Sequence, residues 1–249
     1  MSEYLDQIDE YVRGKKVAIV GNASSIFSAS HGHDIDSHDV VVRFGKGVPD
    51  EFNAVHIGTR TDIWAASVFR FSPSIRDALA PKYSLLSLAQ LGLYSKPPTI
   101  TRPACCMPES ALVEGRDYGV MGDVWQHLLW ASAVSPRFGR PSQGAMFVGF
   151  MKHRKWANLA RSITFFGFDF FSATFDMKGT PTASWHCPIM RNTVSPREIP
   201  HDAEAEAKYI KAYIQAHNTN VDCRIDAPID ATTAERIITH YRGIHQTTP

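Results

Sequence analysis

Two short apolar runs constrain this chain more than any other feature. Val17-Ala18-Ile19-Val20 and Val40-Val41-Val42 are rich in β-branched residues and carry no polar residue at alternate positions. A strand with one wet face alternates. A run that does not alternate is buried on both faces, as in a parallel sheet covered by helices. The first run breaks at Gly21-Asn22-Ala23-Ser24-Ser25, and the second ends in Arg43-Phe44. A glycine straight after such a strand permits a tight turn and brings backbone N–H groups close to a ligand. Ligands of open parallel sheets sit at the carboxyl ends of the strands. Gly21, Asn22, Ala23 and Ser24 therefore form a candidate nucleotide or phosphate turn. The same residues also suit a purely structural strand–helix turn, and neither G-x-G-x-x-G nor a Walker lysine is present.

The rest of the chain alternates strand and helix signals. Residues 2–13 carry the apolar stripe Tyr4, Ile8, Tyr11 and Val12 and read as a helix ended by Gly14. Strands are expected at 55–57, 83–88 and 162–166, the last ending at Gly167-Phe168-Asp169. Helices are expected at 123–134, 142–161 and 201–217, with a last strand at 221–225 and a last helix at 231–241. Residues 94–108 and 170–200, rich in proline and small polar residues, read as irregular. The expected fold is α/β: a single Rossmann-like domain over residues 1–249, with a mostly parallel sheet flanked by helices. A chain of 249 residues has ample length for one such core. A net charge of +1 argues against a dedicated nucleic-acid binder.

Three further places combine polar residues with helix starts or loops. Ser142, Gln143 and Gly144 follow Pro141 at a helix start, where N–H groups and the dipole attract anions; Ser142 also suits a plain N-cap. His186 stands in the irregular segment, in Trp185-His186-Cys187-Pro188. His201 opens the next helix, where the dipole favours the neutral ring that a general base needs. Glu206 recurs with Tyr209, Ile210 and Tyr213 on the inward stripe of that helix and so needs a partner; an ordinary acidic first turn is the alternative. His31, His33 and His38 fit no zinc spacing, and Asp34, Asp36 and Asp39 nearby form no motif for a catalytic cation. No metal is expected. The four cysteines, Cys105, Cys106, Cys187 and Cys223, give neither a disulfide framework nor a metal site, which points to reduced thiols and a cytoplasmic protein. No signal peptide and no bilayer-length apolar run is read.

Taken together and in order, these motifs resemble those of glycosyltransferase family 29, the sialyltransferases. Val20-Gly21-Asn22 through Ile35-Asp36-Ser37-His38-Asp39-Val40-Val41-Val42-Arg43-Phe44 is similar to the long donor motif, and Gly58-Thr59-Arg60-Thr61 to its close. Pro141-Ser142-Gln143-Gly144 with Phe166-Gly167-Phe168 resembles the short motif. His201 to Glu206 resembles the H-x4-E motif, and His186 stands where the third motif's histidine is expected. The resemblance implies a variant GT-A-type fold with donor motifs at 15–62 and 141–169 and a catalytic segment at 185–206. It implies metal-free, inverting transfer from a CMP-activated sugar to a glycan or glycolipid hydroxyl, with no cofactor. His201 would be the base and His186 would bond the leaving phosphate. Gly21, Asn22, Ala23, Ser24, Arg43, Ser142, Gln143, Gly144, Gly167 and Phe168 would hold the donor, with Glu206 in support.

The chain departs from the family pattern at Gly45, where a donor-binding asparagine is usual, and at Val17, where the secretory enzymes carry a cysteine. The first departure leaves the donor open between sialic acid and another 2-keto acid sugar such as Kdo. A compact, bacterial-type relative is expected. Two other readings remain: a nucleotide-binding hydrolase or pyrophosphokinase on a related sheet, and an inactive CMP- or carbohydrate-binding protein.

Overall fold

A computed structural model of the chain describes residues 3–45, 47–67, 73–87, 119–120, 142–168 and 203–217, together with 232 and 236. Six strands form one sheet: β1 (Lys16–Val20), β2 (Val40–Phe44), β3 (Ile63–Ser67), β4 (Tyr83–Ser87), β5 (Gly119–Val120) and β6 (Ser162–Phe166). Their order is β5-β4-β3-β2-β1-β6, and every neighbouring pair is parallel. The two apolar runs lie side by side, with Val17 opposite Val40 and Ile19 opposite Val42. All four residues are fully buried, as are Ala18 and Val41 between them. Burial on both faces explains the missing alternation.

Among the described residues, helices run over α1 (Glu3–Val12), α2 (Gly32–Asp36), α3 (Ala54–Ile57), α4 (Pro73–Leu79), α5 (Gln143–His153), α6 (Trp156–Leu159) and α7 (Ala203–His217), with helical positions also at Thr232 and Arg236. The strands after β1 step away to one side, whereas β6 returns to the other side of β1. With right-handed crossovers this reversal sends the connections to opposite faces. Ala18, Val20, Val41 and Phe166 accordingly pack under the β1–β3 connections, against Ile26, Phe27, Ile35 and Ile57. The other face carries Val17, Ile19, Val42, Ile163 and Phe165 against α1, α5 and α7. Helix α5 is buried along its whole course from Ala145 to Met151, because the sheet lies beneath it and Tyr209, Ile210 and Tyr213 of α7 share the same core.

Two expectations are corrected. Residues 55–57 form the helical turn α3, and the next strand is β3 at Ile63–Ser67. Asp50 and Asn53 cause this: Asp50 Oδ1 accepts from the Phe52 and Asn53 N–H groups, and Asn53 Oδ1 accepts from Asp50 N. That polar turn starts a helix, which a valine and an isoleucine do not prevent. The helix expected over 142–161 breaks after His153 and resumes at Trp156, with Lys155 in the left-handed region at φ 57°. The elements expected at 94–108, 123–134 and 221–225 lie outside the described residues, as does nearly all of 231–241.

The break is held by an ion cluster. Arg154 on the α5–α6 junction bonds Asp6 and Asp9 of α1, and Trp156 Nε1 donates to Asp9 Oδ1 at 2.8 Å. The Arg154 side chain is only 7% exposed. Asp9→Ala leaves the indole N–H without that acceptor and removes one of Arg154's two carboxylates. The expected loss is roughly 2–3 kcal/mol, read by urea unfolding.

Alkaline stability has a definite sign. Burial pushes the Tyr209 hydroxyl up to about 12 and Tyr213 higher still; burial and the Asp62 carboxylate push Tyr11 up to about 12, against an ordinary value of 10.0. These raised values contribute stability that is complete below pH 10 and lost as the pH rises through about 12. Arg43, lowered to about 10 by burial, acts oppositely but singly. Phenolate absorbance and far-UV circular dichroism are expected to change together in one transition above pH 10.

Candidate active site

The topological reversal between β1 and β6 leaves a crevice at their carboxyl ends, the position where open α/β sheets bind ligands. Both strands leave the sheet there through a glycine. Gly21 N donates to Phe166 O at 2.7 Å and Ala23 N to Gly167 O at 3.1 Å. A Cβ on Gly21 would collide with the Gly167 carbonyl oxygen, and Gly167 has φ +65°. The first need for glycine here is thus the approach of two backbones to each other. The expectation that the Gly21 and Ala23 N–H groups face a ligand is corrected: each is taken by a carbonyl of the β6 end. Ser24 opens the 3-10 turn Ser24–Ser28 that follows.

Asn22 Nδ2 donates to Phe44 O at 2.9 Å, tying the end of β1 to the end of β2. Phe168 closes the crevice from the side. Its ring stacks edge-on against Phe44 and Phe165 and fills the space beside Gly21 and Gly144. A Cβ on Gly144 would lie 2.8 Å from Phe168 Cε1, so a glycine in the first turn of α5 admits the ring. Residues from positions 21–22, 144 and 167–168 therefore meet at one place.

Glu206 joins them from α7. It is 5% exposed, and its carboxylate accepts from Ser142 N at 2.7 Å and from Ser142 Oγ at 2.5 Å. Ser142 Oγ in turn accepts from Ala145 N at 3.2 Å, which makes Ser142 the N-cap of α5. The partner that an inward Glu206 requires is the helix start itself, where the dipole favours a carboxylate. Gln143 is the first helical residue after the cap.

Other candidates serve the opposite edge. Arg43, expected at the donor, is 2% exposed, and burial lowers its guanidinium to about 10. Nε donates to Arg60 O and Thr61 Oγ1, and Nη2 to Ile57 O at 2.7 Å, so it secures the loop before β3. Asp36 accepts from Thr59 N, Thr59 Oγ1 and Arg60 N; Asp39 accepts from Lys16 N, and Asp62 from Val41 N. Arg60 Nη1 donates to the carbonyls of Asp36 and His38. His38 is buried, with Nδ1 donating to Asp34 O and Nε2 at 3.1 Å from Thr164 Oγ1; His31 is buried near Phe166, and His33 is exposed. Among the described residues no group of three His, Cys, Asp or Glu is placed to hold a metal ion. Trp64 and Trp156 are fully buried core residues. His186, His201 and the four cysteines lie outside the described residues.

Residues 7–85 match the model of glycosyltransferase family 29 (sialyltransferase). The matched stretch is about a third of the chain. The matched stretch runs from α1 into β4 and includes the Gly21-Asn22 turn and the loop clasp around Asp36 and Arg60. The likeness of fold extends beyond that stretch. The chain is similar to a mammalian sialyltransferase solved in complex with Gal-beta-1-3GalNAc-ortho-nitrophenol, at 19% identity and a TM-score of 0.51, covering 88% of this chain and 79% of the other. A monofunctional alpha-2,3-sialyltransferase from Campylobacter jejuni is similar at 11% identity and a TM-score of 0.51, over 84% of this chain and 74% of the other. Comparison with curated proteins gives no match. Among the described residues no helix is long and apolar enough to cross a membrane.

Sequence reading missed the amino-edge role of Asp36, Asp39, Arg60 and Asp62. The signal was present: Asp39 and Asp62 each stand just before a strand, where a carboxylate accepts an N–H at the start of a neighbouring strand, from Lys16 and Val41 respectively. Glycine positions at the carboxyl edge separate cleanly by substitution. Gly21→Ala forces β1 and β6 apart and is expected to cost about 2–3 kcal/mol. Gly45 has φ +55° and nothing within 4 Å of an added Cβ. Asparagine tolerates that backbone better than other side chains, so Gly45→Asn is expected to cost under about 1 kcal/mol. Thermal melts of the two variants check the contrast.

Proposed function

We propose that this chain is an inverting, metal-independent glycosyltransferase with a single catalytic domain over residues 1–249. Its donor is a CMP-activated 2-keto acid sugar, sialic acid or Kdo, and its acceptor a hydroxyl of a glycan or glycolipid. The observation that carries the reading is the meeting of Gly21-Asn22, Gly144, Gly167-Phe168 and the Glu206–Ser142 pair at the crevice beside β1. These residues are far apart in sequence, belong to separate motifs, and come together where this fold class binds nucleotides.

The reaction assigns each motif a part. His201 takes the proton of the acceptor hydroxyl as its oxygen attacks the anomeric carbon. The bond from that carbon to the phosphate oxygen breaks on the opposite face, and its electron pair leaves with CMP. His186 donates a hydrogen bond to the departing phosphate. The turn at Asn22 and the start of α5 hold the nucleotide, and Phe168 borders it. Arg43 contributes by holding the 57–61 loop. Proton transfer of this kind is worth about 10²–10⁴-fold in rate, and stabilising the phosphate charge is the other large contribution. The sequence's four cysteines, which give no disulfide framework, support a cytoplasmic location for such an enzyme.

CMP release from CMP-sialic acid and from CMP-Kdo, each in EDTA and with a glycan acceptor, tests the reading. Release that persists in EDTA and falls at least about 100-fold in His201→Ala is expected, and the better donor names the sugar. Release abolished by EDTA points to the hydrolase or pyrophosphokinase reading. CMP binding without release points to the inactive binding protein.

A further inference from the structure

The residues that follow β2 fold back around the side chain of Asn22. Asn22 Nδ2 donates to Phe44 O at 2.9 Å, and Gly47 N donates to the same carbonyl at 3.3 Å. Gly47 lies against the amide. A Cβ there would collide with Asn22 Oδ1, whereas Phe44 O would stand at 3.5 Å, an ordinary contact. The amide is thus bracketed by a carbonyl on one side and a bare Cα on the other. Its bond to Phe44 uses one of its two N–H hydrogens, and the side chain is only half-buried, so its other polar atoms can meet a ligand.

The frame behind this arrangement comes from β3. Gly45, at φ +55°, donates through its N–H to Ala65 O at 2.9 Å and accepts through its carbonyl from Trp64 Nε1 at 2.7 Å. Trp64 is fully buried and packs with Leu79, Leu86 and Val48, so the indole has no room to swing. Two consecutive residues of β3 therefore clamp one residue from both sides, next to the carbonyl that Asn22 uses. Without the indole N–H, a glycine, with its wide choice of backbone conformations, is held on one side only.

We propose that Trp64 and Gly47 are positioning residues for the donor: Trp64 fixes the backbone after β2, Gly47 leaves room beside it, and together they hold the Asn22 amide where it grips the nucleotide. Each acts through Asn22. The inference rests on the transferase reading above, since it takes Asn22 as a nucleotide contact. It gives a buried core tryptophan, and a glycine outside the residues read as donor-binding, a share in donor affinity. The nucleotide is gripped alike before and during transfer, so a looser grip is read in donor affinity and KM, with kcat little changed.

The test is calorimetric binding of CMP to the full chain, with steady-state kinetics on its better CMP donor, at a temperature well below the melting point of each variant. Trp64→Phe keeps most of the apolar bulk and removes the N–H. It is expected to weaken CMP binding about 3- to 10-fold, the net worth of one hydrogen bond. Gly47→Ala pushes the amide aside and is expected to weaken it to a similar extent. Donor KM is expected to rise in step while kcat stays within about 2-fold. In an Asn22→Ala background neither substitution is expected to weaken binding further, because both act through the missing amide. Unchanged CMP affinity in either single variant overturns the inference, since a purely structural role lowers the melting temperature alone. Losses undiminished in the Asn22→Ala background overturn it too, as does a loss confined to kcat. If Trp64→Phe does not fold, Gly47→Ala decides by the same criteria, because its added methyl presses on a side chain and not on backbone. A wild-type chain that binds no CMP rejects the transferase reading, and the inference with it. CMP binding by the wild type with indifferent variants rejects the inference alone.

Discussion

The contact between Gly21 and Gly167 is the constraint on which the rest of this structure depends. Two parallel strands end side by side, and each backbone occupies the space a side chain would need on the other. That approach allows Phe168 to turn back over the crevice, and the Phe168 ring then requires a glycine at position 144 of α5. Three glycines and one aromatic ring thus define the geometry of the carboxyl edge before any ligand is considered. The proposed ligand-binding place is a consequence of how tightly the sheet closes there.

The long motif divides between two jobs. Its first residues, Gly21 and Asn22, shape the carboxyl edge. Its middle, Asp36 to Asp39, and its close, Gly58 to Asp62, lie at the amino edge, where carboxylates accept strand N–H groups and Arg60 binds carbonyls. Arg43 belongs to the second group through its bonds to Ile57, Arg60 and Thr61. A guanidinium bonded to carbonyls with no carboxylate in direct contact explains why burial lowers its proton affinity. Much of what looks like a binding motif is the polar frame that keeps four parallel strands in register.

The sheet was legible because burial on both faces leaves an unmistakable pattern: β1, β2, β4 and β6 all read as short apolar runs. Strand β3 was not, because Ile63-Trp64-Ala65-Ala66 has one β-branched residue and the nearby 55–57 run looked stronger. What decided against 55–57 was a side-chain network around Asp50 and Asn53, which acts over a few residues and leaves no periodic trace. At the site, the inward position of Glu206 was readable from helical spacing, but its partner was not, since Ser142 is distant in sequence. Glycine was readable at position 21, although for the wrong neighbour: a facing strand end, where a ligand was expected.

Strand β1 pairs with β2, which follows within a few dozen residues, and with β6, which arrives only after most of the chain. Synthesis runs from the amino terminus, and early segments begin to organise before late ones exist. The amino-edge frame of β1 to β3 is complete once Asp62 has emerged. Until Ser162–Phe166 is made, β1 remains an apolar edge with its hydrogen-bonding groups unsatisfied, the kind of edge that recruits other chains. The crevice beside β1 therefore forms late, and the same pairing that creates the site also closes the edge most prone to aggregation. In this fold, acquiring the site and becoming safe from self-association are one event.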